Sequence, residues 1–191
     1  MKLTTYLAMA AILLMGCKKS KKKTDMEADI DMGKPSTEAY SIGEDARLTQ
    51  ALIVDAGADK VWSLLRQLDD VDKYSSNIAK VEFTGKKGVG GERVCTSTDG
   101  KGFFREKIVA FDDRFRTYSY SLVEGVPARG MVNTFKVVNL GYGKSALIWS
   151  SNFEQFMENP NMTEDEFMAF MNSASKETLQ KIGEAATSTP M

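Results

Sequence analysis

The chain has 191 residues, 42% of them apolar, with 25 Lys and Arg against 26 Asp and Glu. That suits one packed domain with appendages, and the near-neutral balance lacks the sustained basic excess that nucleic-acid binding needs. Histidine is absent, which excludes His-based nucleophilic triads, histidine zinc sites and any imidazole base. Catalysis, if present, falls to carboxylates, Tyr, Lys, Arg or a thiol.

Met1 and Lys2 give a positive start, and Leu3 through Met15 form an apolar stretch too short to span a bilayer as a mature helix. It ends Leu14-Met15-Gly16-Cys17. A small residue directly before Cys at the end of such a run resembles the lipobox of bacterial lipoproteins. The resemblance implies a signal peptide over residues 1–16, cleavage before Cys17, and acylation of that cysteine. Acyl chains on Cys17 would anchor the protein firmly, since each buried methylene contributes about 0.8 kcal/mol. Residues 17–45 then read as the lipidated Cys and a flexible charged linker: five lysines between Lys18 and Lys23 give way to Asp25, Glu27, Asp29 and Asp31 without helical or strand periodicity. Lys18 replaces the Asp that resembles an inner-membrane retention signal, which points to the outer membrane, facing the periplasm of a bacterial envelope. Cys95 is then the only thiol left, and no intramolecular disulfide can form.

A folded domain is expected over 46–187, with 188–191 as a tail. Arg47 to Val54 is strand-like, and Ala58 to Leu68 sets Val61, Trp62, Leu65 and Leu68 at helical spacing. Six strands follow between turn signals: Ile78 to Thr84, Glu92 to Thr98, Phe103 to Phe111, Thr117 to Val123, Val132 to Leu140 and Ala146 to Phe156. Asp99-Gly100 reads as a two-residue hairpin turn. Gly88-Val89-Gly90-Gly91 precedes a strand instead of opening a helix, so it reads as a hairpin and not a phosphate loop. Asp69, Asp70 and Asp72 lack the spacing of a calcium loop. Thr163 with Glu166 forms a capping box opening a long helix to about Ala186. Cys95 fits a small buried apolar residue. The Asn161-Met162-Thr163 sequon carries no weight in a bacterial chain.

Consecutive antiparallel strands with one long helix to cover them favour an α+β helix-grip fold, a curved antiparallel seven-stranded sheet wrapped around the C-terminal helix. The succession Val61-Trp62, Gly90 and Arg93, Gly102 and Glu106, Asp112, Tyr118-Ser119-Tyr120 and Trp149 resembles the START-like helix-grip (SRPBCC) superfamily, in particular its polyketide cyclase/dehydrase and lipid-transport branch. The resemblance spans about Arg47 to Ala186. It implies a cavity between sheet and helix for one hydrophobic or amphipathic molecule.

Alternation nominates the walls. Tyr118, Tyr120 and Leu122 share a strand face, as do Asn133, Phe135 and Val137. On the last helix Phe167, Phe170, Met171, Ala174 and Thr178 fall on one stripe, where the small Ala174 and Thr178 leave space. Ordinary core packing is the competing reading for each. Glu106 and Glu154 match two acidic residues that reach the ligand through water in the related plant abscisic-acid receptors. Glu106 points inward if Ile108 does, and an inward carboxylate calls for a polar ligand group or a buried Arg or Lys. Trp149 and Glu154 have opposite parity, so one of them faces outward unless a bulge intervenes. Gly125-Val126-Pro127 matches the gate region of the receptor branch and equally suits a surface turn.

The leading expectation is a lipid-anchored carrier or binder of a hydrophobic small molecule or lipid. It is expected as a monomer, without cofactor, metal or nucleic-acid partner. The alternatives are a cyclase or dehydratase in which Glu106 or Tyr120 transfers protons, and an assembly factor for an envelope protein.

Overall fold

The computed structural model describes residues 46–188. The expected signal peptide, Cys17, the linker to residue 45 and positions 189–191 of the tail lie outside them. The chain order is β1 (Leu48–Val54), α1 (Ala58–Leu65), a 3-10 turn (Val71–Lys73), β2 (Ile78–Thr84), β3 (Glu92–Ser97), β4 (Phe103–Asp112), β5 (Thr117–Glu124), β6 (Ala128–Arg129), β7 (Val132–Gly141), β8 (Lys144–Asn152), β9 (Gln155–Phe156) and α2 (Glu164–Ser188). Seven strands form one antiparallel sheet in the order β1-β8-β7-β5-β4-β3-β2, and β6 pairs β9 separately. This is the helix-grip α+β arrangement, with α2 laid along the sheet.

Alternation explains the inner face. On β5 Tyr118 and Tyr120 are buried, on β7 Asn133, Phe135 and Val137, and on β8 Ser145, Leu147, Trp149 and Ser151. In β4 Glu106 and Ile108 both point inward. A register shift between Ile108 and Ala110 then changes the parity, so that Phe111 packs against the core. The main core runs from Val61, Trp62 and Leu65 of α1 through Tyr118, Phe135 and Leu147 to Leu179, Ile182 and Ala186 of α2. Trp62 lies 5.6 Å from the Phe111 ring and 6.4 Å from that of Tyr118. Each fully buried apolar side chain of this kind contributes about 1.5–3 kcal/mol. A second cluster, Ala128, Met131, Phe153 and Phe167, fixes the start of α2.

Three boundaries differ from the sequence reading. The first helix ends at Leu65, and Leu68 sits beyond it with φ of 61° in the left-handed region. The last strand does not run from 146 to 156. It stops at Asn152, and Gln155–Phe156 leave the main sheet to pair with Ala128–Arg129. The Asp99-Gly100 turn is longer than two residues. The Ser97 N–H donates to the Gly102 carbonyl at 3.0 Å, while Asp99 Oδ1 accepts from Ser97 Oγ at 2.6 Å and from the Lys101 N–H at 2.9 Å. The side chain thus organises a wider loop. The capping box is present: Glu166 N–H donates to Thr163 Oγ1 at 3.2 Å and Thr163 N–H to Glu166 Oε2 at 2.8 Å.

Candidate functional site

A cavity of about 100 Å³, partly open to solvent, lies between the inner face of the sheet and the middle of α2. It is of the order of a cavity that holds a benzene-sized guest. The sheet side is formed by Tyr120 and Leu122 of β5, Asn133 and Phe135 of β7 and Trp149 of β8. The helix side is Phe170, Met171, Ala174, Ser175 and Thr178, spaced by three or four residues along one stripe. Phe104 closes one wall, and Val71, Ser75 and Asn77 from the segment between α1 and β2, with Ile78 at the start of β2, close another. Val126, in the Gly125-Val126-Pro127 turn, also lines the space.

The charged residues on the wall are Arg93 and Glu106, which stand opposite one another in the β3–β4 register. Arg93 Nε donates to Glu106 Oε2. Arg93 Nη1 donates to the Leu68 carbonyl at 2.7 Å, and the guanidinium lies 4.7 Å over the Tyr120 ring. The Leu68 bond ties Arg93 to a backbone conformation that costs an ordinary residue about 1–2 kcal/mol. Arg93 is 1% exposed and Glu106 7%, so each charge is solvated mainly by the other. Burial alone would weaken the Arg93 cation, but the Glu106 carboxylate, with Tyr118 and Tyr120 adding to it, holds its pKa above the ordinary guanidinium value.

Neighbouring acids are pushed toward their neutral forms. Burial, reinforced by Glu106, pushes the Cys95 thiol up to about 12, and Cys95 Sγ lies 3.9 Å from Glu106 Oε2. Burial and then Glu106 likewise raise Tyr120, whose hydroxyl oxygen accepts from Trp149 Nε1 at 3.4 Å. Tyr118 is raised too, first by burial. Asn133 is 2% exposed, and its Oδ1 has no hydrogen-bond partner. Among the described residues no group of three or more His, Cys, Asp or Glu could hold a metal ion.

The structure brings eight of the nominated residues to this cavity: Glu106, Tyr120, Leu122, Asn133 and Phe135 from the sheet, with Phe170, Ala174 and Thr178 from the helix. Three are placed elsewhere. Glu154 follows the end of β8, its side chain is 67% exposed, and it accepts from Arg129 Nε at 3.2 Å. Trp149 takes the inward parity, so Glu154 lies on the outside. Phe167 packs in the second cluster, 5.8 Å from Phe153 and 6.0 Å from Phe156. Tyr118 is core beneath α1 and borders a separate gap of about 20 Å³. Sequence reasoning noted Arg93 only as a landmark of its strand. Cys95, two residues on and buried, shares its face, so parity could have placed Arg93 inside.

Similarity to known proteins agrees with this geometry. The chain is 28% identical over 145 residues to the abscisic acid receptor PYL2 of Arabidopsis thaliana, covering 72% of this chain and 76% of the receptor. Among solved structures it resembles the Zhui aromatase/cyclase of Streptomyces sp. R1128, with TM-score 0.63, 19% identity, and 73% and 92% of the two chains covered. It also resembles norcoclaurine synthase of Thalictrum flavum in complex with dopamine and hydroxybenzaldehyde, with TM-score 0.62, 19% identity, and 75% and 87% covered. These structures share the fold. Residues 45–187 match the family described as polyketide cyclase / dehydrase and lipid transport, and the chain belongs to that family.

Proposed function

We propose that the protein is a carrier or binding protein for one hydrophobic or amphipathic small molecule held between the sheet and α2. The observation that carries this reading is a cavity whose charged wall groups, Arg93 and Glu106, are bonded to each other while the rest of the lining is apolar or weakly polar. Such a site offers shape and apolar surface without a free charge. The family and the resemblance to a receptor whose name gives it abscisic acid support small-molecule binding. The apolar run ending Gly16-Cys17 supports a lipid anchor at Cys17 that holds the carrier at an envelope membrane, the outer one by the Lys18 argument.

The test is Ala174→Phe, which places a ring in the middle of the helix stripe. In a solid core added bulk costs about 1–3 kcal/mol. In a carrier the thermal midpoint stays near wild type while displacement of an apolar fluorescent dye by cell-extracted lipid is lost. A large fall in midpoint, with no dye binding in wild type, would sink the carrier reading. Cys17→Ser separately tests the anchor, through loss of labelled palmitate and release into the soluble fraction.

A proton-transfer enzyme is the second reading, favoured by Glu106 and Tyr120 both lining the cavity. Burial keeps the Tyr120 hydroxyl protonated, so it can offer a hydrogen bond to a developing negative charge but is a poor acid and no base. Glu106 is already engaged by Arg93.

A further inference from the structure

Resting on the carrier reading, we propose that the cavity selects an uncharged molecule bearing a hydroxyl group, which donates its hydrogen bond to Asn133 Oδ1. Buried polar atoms in folded proteins almost always have partners, and an orphan costs the full loss of its hydration. Asn133 Oδ1 is such an orphan, on a side chain 2% exposed that lines the cavity. Its strand neighbours do not supply the missing donor. Tyr120 lies opposite Asn133 on β5, but its hydroxyl, whose oxygen accepts from Trp149 Nε1, makes no hydrogen bond to Asn133 Oδ1. On the other side Asn133 pairs with Ser151 of β8, and no hydrogen bond joins their side chains.

The partner has to come from the cavity, and a ligand that displaces water there must bring a donor of its own. A hydroxyl fits the site best, because it donates to Oδ1 and can also accept from the amide nitrogen of the same side chain. A carboxylate fits badly. It can only accept, and the cation on the wall, Arg93, is already taken up by Glu106, the Leu68 carbonyl and the Tyr120 ring. An anion brought here would lose its water without gaining a counter-charge. The apolar body of the ligand then rests on Leu122, Phe135, Trp149, Phe170 and Met171. The roughly 100 Å³ of space suits a ring or a short branched chain beside the hydroxyl.

A matched set of probes tests this: 2-phenylethanol, its methyl ether, ethylbenzene and phenylacetate, titrated into the full chain at pH 7 by calorimetry. The ether keeps the oxygen and loses only the donor. The alcohol should bind about tenfold tighter than the ether, the ratio one hydrogen bond to an otherwise unsatisfied buried acceptor supplies. Phenylacetate should bind weakest. Asn133→Leu should bring alcohol, ether and hydrocarbon within about twofold of one another. If that variant does not fold, the wild-type ratio of alcohol to ether decides alone. Equal binding of alcohol and ether, or phenylacetate binding as tightly as the alcohol, overturns this proposal while leaving the carrier reading intact. A preference for the alcohol that persists in Asn133→Leu removes Asn133 as its source and overturns it equally. Binding of none of the four by the folded protein overturns both.

Discussion

Replacing Arg93 with Met removes a cation whose side chain is 1% exposed and leaves Glu106, 9% exposed at its side chain, with the Cys95 thiol at 3.9 Å as its remaining contact. Breaking a buried ion pair from one side costs about 3–5 kcal/mol, because a charge is left without compensation. Glu106 lines a cavity that is partly open at its mouth, and its side chain keeps 9% exposure, which places the cost near the lower limit, about 3 kcal/mol. For a domain of this size each kcal/mol moves the midpoint by about 3 °C, so a fall of about 10 °C is expected. The double variant Arg93→Met/Glu106→Leu removes both charges and should recover most of that loss. The shortfall reflects the lost bond to the Leu68 carbonyl, about 1 kcal/mol. Urea unfolding followed by tryptophan fluorescence suits the measurement, since Trp62 and Trp149 are both buried. A single variant within 1 kcal/mol of wild type, or a double variant as unstable as the sum of its parts, would show that the pair is not coupled as described.

Three further outcomes follow from the geometry. Cys95 has its folded pKa raised from about 9 to about 12, chiefly by burial, so its contribution to stability is complete below pH 9 and is lost as pH climbs to 12; thermal midpoints should fall across that window, and less steeply in Cys95→Ala. Asp113 accepts from Arg66 Nε at 2.9 Å, Arg66 Nη2 at 2.8 Å and Trp62 Nε1 at 2.8 Å. Arg66 first and then Trp62 hold its pKa below the usual value, so its contribution is present at neutral pH and fades as pH drops through the acid range. Because the Asp113 side chain is half exposed, Asp113→Asn should cost about 0.5 kcal/mol at pH 7, and the gap from wild type should narrow as pH is lowered in chemical denaturation. Gly125 has φ of 95°, and a Cβ there would stand 1.9 Å from the Phe103 carbonyl oxygen; Gly125→Ala should cost more than 1 kcal/mol in the same assay and shift the Val126 wall, with an unchanged midpoint counting against this turn geometry.

The sheet and its covering helix were legible because two periods, alternation in the strands and three-to-four spacing in α2, are written in the residues themselves. The capping box at Thr163 was legible for the same reason, since all its parts are local. The break after Asn152 was not. Glu154 continues an alternating pattern, and only the pairing of Gln155 with the distant Arg129 shows that the strand has left its sheet. Phe167 sits on the same stripe as Phe170, but the stripe is longer than the cavity, and nothing in the sequence marks where solid packing gives way to open space. The Arg93–Glu106 pair needed the cross-strand register to be seen, because the two residues are thirteen apart in the chain.

The placement of α2 has a mechanical consequence. Phe167 pins its first turns in one apolar cluster, and Leu179, Ile182 and Ala186 pin its last turns in another, so the helix is a beam held at both ends. Gly183 lets the far end settle tightly, since a Cβ there would lie 3.0 Å from Leu52 Cδ2. The span between, Phe170 to Thr178, rests over open volume. It is tied down by polar bonds, from Gln50 to Asn172 and from Ser76 to Glu177. Such a beam can bow when those ties release, while both supports stay in place. A guest could then enter without any part of the fold coming apart, and amide hydrogens in the middle of α2 should exchange faster than those at either support.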